Sequence, residues 1–220
     1  MSTVASPAKQ LPAVLYDIDW KMYSRLLRIF ENRRGFRLTY DRGILEIMSP
    51  LWQHEEPGGL LGRFVDVLTE ELNLPYRLGG SVTLRRRRKH RGLEPDKCYW
   101  IASTPLLQGK RELDLRVDPP PDLAIEVDAT SSSLDRMSIY AALAVPEVWR
   151  LSTGRIDFHV LESGVYRVRS NSVSFPQLAS SDLPPFVALW GSTDDGTIVR
   201  QFRDWVRQQM LTRPMPPSHL

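Results

Sequence analysis

The strongest constraint in this 220-residue chain is the short run LAIEV at 123–127. It reads as a strand covered on both faces, yet it carries one carboxylate, Glu126, near its end. Burying that charge costs several kcal/mol, to order of magnitude, unless it is paired or binds a metal. A Ser/Thr-rich turn follows, then an amphipathic helix over 134–144 opened by Asp135 and Arg136, then a second strand over 147–151. The same problem occurs upstream, where Glu94-Pro95-Asp96 leads into the apolar run 98–102. Acids at the ends of two neighbouring strands suit a hard cation.

The formal net charge of +3 permits nucleic acid as a partner without arguing for it. A single cysteine, Cys98, rules out an intrachain disulfide and a thiolate metal cage, which fits a reducing cytoplasm. The N-terminal residues lack the basic region and apolar run of a signal peptide. No stretch approaches the ~18 consecutive apolar residues of a membrane span.

Residues 1–12 are expected to be a loose leader, 13–211 one domain, and 212–220 a flexible Pro-rich tail. Asp19 can cap a helix over 20–32. Asp41-Arg42-Gly43 between alternating runs at 36–40 and 44–48 predicts a hairpin. A polar loop holding His54, Glu55 and Glu56 precedes a second helix over 58–72. Strands are expected at 76–78, 81–86 and 97–102, with loop or a short helical turn at 104–111. A hairpin at 148–151 and 156–161, a strand at 165–169, a loop over 170–185 and an amphipathic helix over 197–210 complete the chain. This order predicts a mixed α/β fold with helices packed on a mostly central sheet.

Side chains alternate along a strand, so Asp96 and Glu126 can reach one cation from the same face if their strands pair. Two carboxylates, waters and phosphate oxygens are the usual ligands of Mg²⁺, with Mn²⁺ an acceptable substitute. Such an ion supports phosphodiester hydrolysis. The competing reading pairs Glu126 with a nearby arginine or leaves it on a half-exposed edge strand.

Read together, EPDKCYW, PDLAIEVDATSSS and DRMSIYAALAVPEVWRL resemble the Uma-type family of putative restriction endonucleases, within the PD-(D/E)XK nuclease-like superfamily. The likeness reaches upstream to YDRGILEIMSPLWQHEEPGGLLG and covers roughly residues 20–161. It implies a restriction-endonuclease-like mixed central sheet flanked by helices, with added β-hairpins, and a site at the strand ends. It implies that Asp96 and Glu126 are the motif acids, and that a helix-borne acid comes from His54, Glu55 or Glu56, with Glu55 the choice. Asp122, in a second Pro-Asp pair, is a decoy, about 13 Å along the strand from Glu126.

One departure stands out. The superfamily places a lysine two residues after the acid, where this chain has Asp128. Many Uma-type sequences carry the lysine on the following helix, four residues before a tyrosine, and here that position is Arg136 before Tyr140. Arginine can stabilise a developing phosphorane charge but stays protonated, so it is no general base. Asp128 is then a further metal ligand or a partner of Arg136.

The run RRRRKHR offers Arg85, Arg86, Arg87, Arg88, Lys89 and Arg91 as phosphate contacts beside the acids, against the plainer reading of a solvated loop. His54 is more simply an exposed loop residue, and Ser131–Ser133 a turn and helix cap rather than a nucleophile. Trp149, Trp190, Trp205 and Tyr140 read as core or interface aromatics. The expectation is a Mg²⁺-dependent endonuclease acting on DNA as a homodimer through the apolar 143–151 region and the C-terminal helix. The alternative is a nucleic-acid-binding or interaction module that kept the fold and lost catalysis.

Overall fold

The computed structural model describes residues 12–31, 35–49, 52–80, 82–128 and 132–215, without the side chains of 52–56. Most of the expected leader and part of the tail therefore lie outside the described residues.

Two sheets share one helix between them. The first begins with β1 (Ala13–Leu15), and the hairpin β2 (Arg37–Asp41) and β3 (Ile44–Met48) forms its centre. Between β1 and β2 runs α1 (Trp20–Phe30), capped by Asp19 accepting from the Met22 amide at 2.6 Å. Its Tyr23 stacks on Tyr40 above Leu38 and Leu45, forming a small core under this sheet. The helix α2 (Trp52–Glu71) follows. It starts earlier than expected, so His54, Glu55 and Glu56 lie on a helix and not in a loop. Pro57-Gly58-Gly59 reads as a helix breaker, but the Leu61, Phe64, Val65 and Leu68 side of the segment buries completely, and tertiary packing overrides the local signal.

After β4 (Arg77–Leu78), the basic run folds as a second hairpin, β5 (Leu84–Arg86) and β6 (Arg91–Leu93), around a 3-10 turn at Arg87–Lys89. His90 closes that turn at φ 50°, in the left-handed region. The first sheet runs β1-β3-β2-β6-β5, antiparallel throughout.

Glu94-Pro95-Asp96 then carries the chain out of the first sheet into β7 (Lys97–Trp100), a strand of the second. A 3-10 turn at Thr104–Leu107 leads on to β8 (Leu123–Val127), α3 (Arg136–Leu143), β9 (Glu147–Ser152), β10 (Arg155–Glu162) and β11 (Val165–Arg169). The order of this sheet is β11-β10-β9-β8-β7-β4. Only β8 and β9 pair in parallel, and α3 makes the crossover that such a pair requires. The expected loop over 170–185 contains a 3-10 turn at Ser180–Asp182 and enters a short α4 (Pro184–Val187). The last helix, α5 (Asp195–Trp205), ends in a π turn at Val206–Met210.

Period-two alternation in β8 decides what lies on each face. Leu123 and Ile125 point to a core filled by α2 and α5 through Phe64, Leu68, Ile198 and Phe202. Ala124 points the other way, with Val148, Cys98 and Trp100, onto Ile139, Tyr140 and Leu143 of α3. Trp149 and Tyr140 are fully buried, as expected of core aromatics. Leu143, Val145 and Val148 are completely buried too, as are Ile198, Phe202 and Val206. These six side chains of the segments expected to form a dimer interface pack within the chain. Among the described residues no helix is long and apolar enough to cross a membrane.

Candidate active site

The site forms where the second sheet meets the first. In the β7–β8 register Lys97 faces Ile125 and Cys98 faces Ala124; Asp96 immediately precedes β7, and Glu126 is the next-to-last residue of β8. Glu126 is only 6 % exposed. Its carboxylate accepts Nε of Arg136 on Oε1, Nη2 of Arg136 on Oε2 at 2.9 Å, and the Tyr140 hydroxyl on Oε2 at 2.7 Å. The competing reading of Glu126, an arginine partner, is therefore how its charge is compensated.

Arg136 sits in the first turn of α3 because Asp135 caps the helix, accepting from the Ser138 amide at 3.1 Å. Ser131–Ser133 was the expected cap. Of these, Ser131 lies outside the described residues, while Ser132 and Ser133 bind the buried Glu46 of β3 instead, their hydroxyls donating at 3.0 and 2.8 Å. The rest of the Arg136 guanidinium donates to Thr39 Oγ1 on β2 at 2.7 Å and to the Glu94 carbonyl at 2.8 Å. One side chain thus ties both sheets to α3. Burial disfavours its charge, but Glu126 and Tyr140 beside it together outweigh that and raise the pKa, so Arg136 stays protonated. Burial first, and then the Glu126 charge, hold Tyr140 well above the ordinary phenol range, so it acts as a donor.

Asp96 is held differently. Its Oδ2 accepts the Val127 amide at 2.6 Å, which fixes it to the end of β8, and its Oδ1 pairs with Arg37 of β2. On the α2 side Gly58 approaches closely, where a Cβ would lie 3.5 Å from that of Asp96. Arg37 had no signal in the sequence, being one more charged residue on a hairpin strand. Its partner is visible only once β2 lies across the Glu94-Pro95-Asp96 passage.

The other expected site residues fall as follows. Asp128 lies beside Arg150 at 2.8 Å, not Arg136. The Glu55 side chain lies outside the described residues, with those of His54 and Glu56. Asp122 accepts the amides of Ile101 and Ser103 at 2.6 and 3.0 Å and the Ser103 hydroxyl at 2.8 Å, so it fixes a turn. In the basic hairpin Arg85, Arg87, Arg88 and Lys89 are exposed, and Arg86 is half-buried. Arg91 is committed to Asp41 at 2.8 Å and to the Ser138 carbonyl at 2.7 Å. Among the described residues no cluster of three or more His, Cys, Asp or Glu side chains could hold a metal ion.

Beside Asp96 opens a cleft of about 850 Å³ between α1, β2 and the 111–113 segment. Glu94 lines it. Burial pushes the Glu94 carboxyl up from its ordinary range, against the Thr83 hydrogen bond and the charges of Arg37 and Arg136.

These elements are matched from residue 20 to 194 by the sequence profile of the family Uma2, described as putative restriction endonuclease. The chain belongs to the Uma2 family. Among solved structures, one described as a putative nuclease belonging to DUF820, from Anabaena variabilis, is similar at a TM-score of 0.49 and 15 % identity. The similarity covers 68 % of this chain and 90 % of that one. No curated protein matches the chain.

Proposed function

We propose that this member of the Uma2 family is a cytoplasmic metal-dependent endonuclease that hydrolyses DNA phosphodiester bonds. The observation that supports the reading is the Asp96 carboxylate accepting the Val127 amide at 2.6 Å, one residue beyond Glu126, at the junction of the two sheets.

The donor chemistry fits a hard cation. Both groups are carboxylates, and an ionised carboxylate offers about four lone pairs. Among the described residues Asp96 Oδ1 and Oδ2 and Glu126 Oε1 each accept a single bond, which leaves room for a ligand. Asp96 and Glu126 would hold Mg²⁺ or Mn²⁺, with Glu55 or Asp128 assisting. When bound, the ion would polarise the phosphoryl group and acidify a water. Arg37 and Arg136 already balance the two acids, so an arriving dication adds net positive charge. A phosphate removes that excess, so the site favours the ion together with DNA over the ion alone. Arg136 then positions Glu126 and supplies a fixed positive charge, with no part in proton transfer.

One arrangement favours the alternative, a module that binds nucleic acid without cutting it. Both acids are matched by arginines, and Asp128, at the superfamily's lysine position, pairs with Arg150. Supercoiled plasmid incubated with Mg²⁺, Mn²⁺ or chelator, beside Glu126→Ala, separates the readings. Metal-dependent nicking that the variant loses is the expected result. Salt-sensitive binding without cleavage would establish the binding module instead.

A further inference from the structure

We propose that the cleft beside Asp96 holds an unpaired nucleotide, with Phe36 as the surface on which its base stacks. The inference deepens the nuclease reading and rests on it for the identity of the ligand.

The volume of about 850 Å³ lies within the range of small-molecule sites. It has room for a nucleotide and far too little for a base-paired duplex. Phe36 lines the cleft, and 44 % of its surface is exposed. A lone exposed phenylalanine is ordinary on a protein surface. This one is held in a defined pose, its ring set edge-on to Phe30 at 5.2 Å and 67°. A fixed aromatic face in a concave wall is what a nucleobase stacks on without regard to sequence.

The polar groups are placed to match. Arg28 and Arg111 are exposed on the walls, where a sugar-phosphate backbone would run. Glu31 and Glu112 stand on the same walls, so net charge attracts DNA only weakly there and stacking sets the preference. Glu94 presents a half-buried carboxyl to the edge of an inserted base. Asp96 lines the same cleft, so a base seated on Phe36 brings its phosphate toward the acid pair. The substrate class that follows is DNA with unpaired nucleotides, either a single strand or a nucleotide swung out of a duplex.

The test is fluorescence anisotropy in chelator, with a labelled single strand, its perfect duplex, and the same duplex carrying one mismatch. The wild-type protein is expected to prefer the single strand over the perfect duplex by roughly 10-fold, with the mismatched duplex between them. Phe36→Ala should erase the preference and Phe36→Trp restore it, both with unchanged thermal melts. Equal affinity for single strand and duplex, no measurable DNA binding, or a preference that survives Phe36→Ala would overturn the proposal. Binding in chelator is independent of cutting. Plasmid nicking without strand preference would remove the cleft and keep the nuclease, and the reverse pattern would keep the cleft and remove the nuclease.

Discussion

Arg136 holds Glu126 by both carboxylate oxygens, through Nε on Oε1 and Nη2 on Oε2 at 2.9 Å. Both side chains are largely buried, at 13 % and 8 % exposure. Removing one partner of such a pair strands the other charge. Arg136→Ala is expected to lower stability by roughly 3–5 kcal/mol in urea unfolding. Arg136→Met combined with Glu126→Gln should recover most of that loss, since neither charge is then left alone. A double variant as unstable as Arg136→Ala would show that the Thr39 and Glu94 contacts, and not the ion pair, hold the junction.

Glu94 is expected to make stability depend on pH. Burial raises its pKa above the ordinary 4.5, so the folded chain binds this proton more tightly than the unfolded chain. The stabilisation is complete below the unfolded pKa and is lost as pH rises through the folded one. Glu94→Gln stays neutral throughout and keeps an acceptor for Thr83. The variant should therefore melt higher than the wild-type protein at pH 7, and the gap should close as the pH falls below about 4.5. A gap that does not change with pH would mean that Glu94 does not titrate differently on folding.

Much of this architecture was legible because local and long-range signals agree. The β8 and β11 boundaries follow from apolar runs bounded by turn residues, and Asp19 caps the helix that it precedes. Elsewhere composition hid structure. RRRRKHR reads as a charged loop, yet Leu84 and Leu93 at its ends bury completely and pull the arginines into a hairpin. Pro57 masked the start of α2. At the site, the two acids followed from their place beside apolar runs. Arg37 did not, because its role depends on two sheets crossing, and no periodicity within one segment encodes that.

Gly92, on β6, is a point of close packing between the first sheet and α1. A Cβ there would lie 2.3 Å from the Tyr23 hydroxyl and 3.1 Å from Arg85 Cβ. Tyr23 is fully buried and stacked 4.5 Å from Tyr40, so it has nowhere to move. Gly92→Ala is expected to cost about 1–3 kcal/mol through overpacking. The Tyr23 hydroxyl has no hydrogen-bond partner among the described residues, so Tyr23→Phe should cost little. Adding Tyr23→Phe should offset part of the Gly92→Ala loss. Strict additivity of the two changes would place the strain elsewhere.

The basic hairpin separates phosphate contacts from structural arginines. Arg87, Arg88 and Lys89 are exposed at its turn, two to four residues on from the cleft-lining Arg85. If DNA runs from the cleft over this turn, replacing the three by alanine should weaken binding across sequences. It should also flatten the dependence of log affinity on log salt by roughly 2–3 units, since each lost phosphate contact releases fewer counterions. Arg91 belongs to the same run but spends its guanidinium on Asp41 and the Ser138 carbonyl, linking β6 to β2 and α3. Arg91→Ala should therefore lower the melting temperature and leave the salt slope of the folded protein unchanged. Anisotropy titrations at several salt concentrations, read beside melts of the same samples, would reverse these assignments if the slope followed Arg91 and ignored the turn.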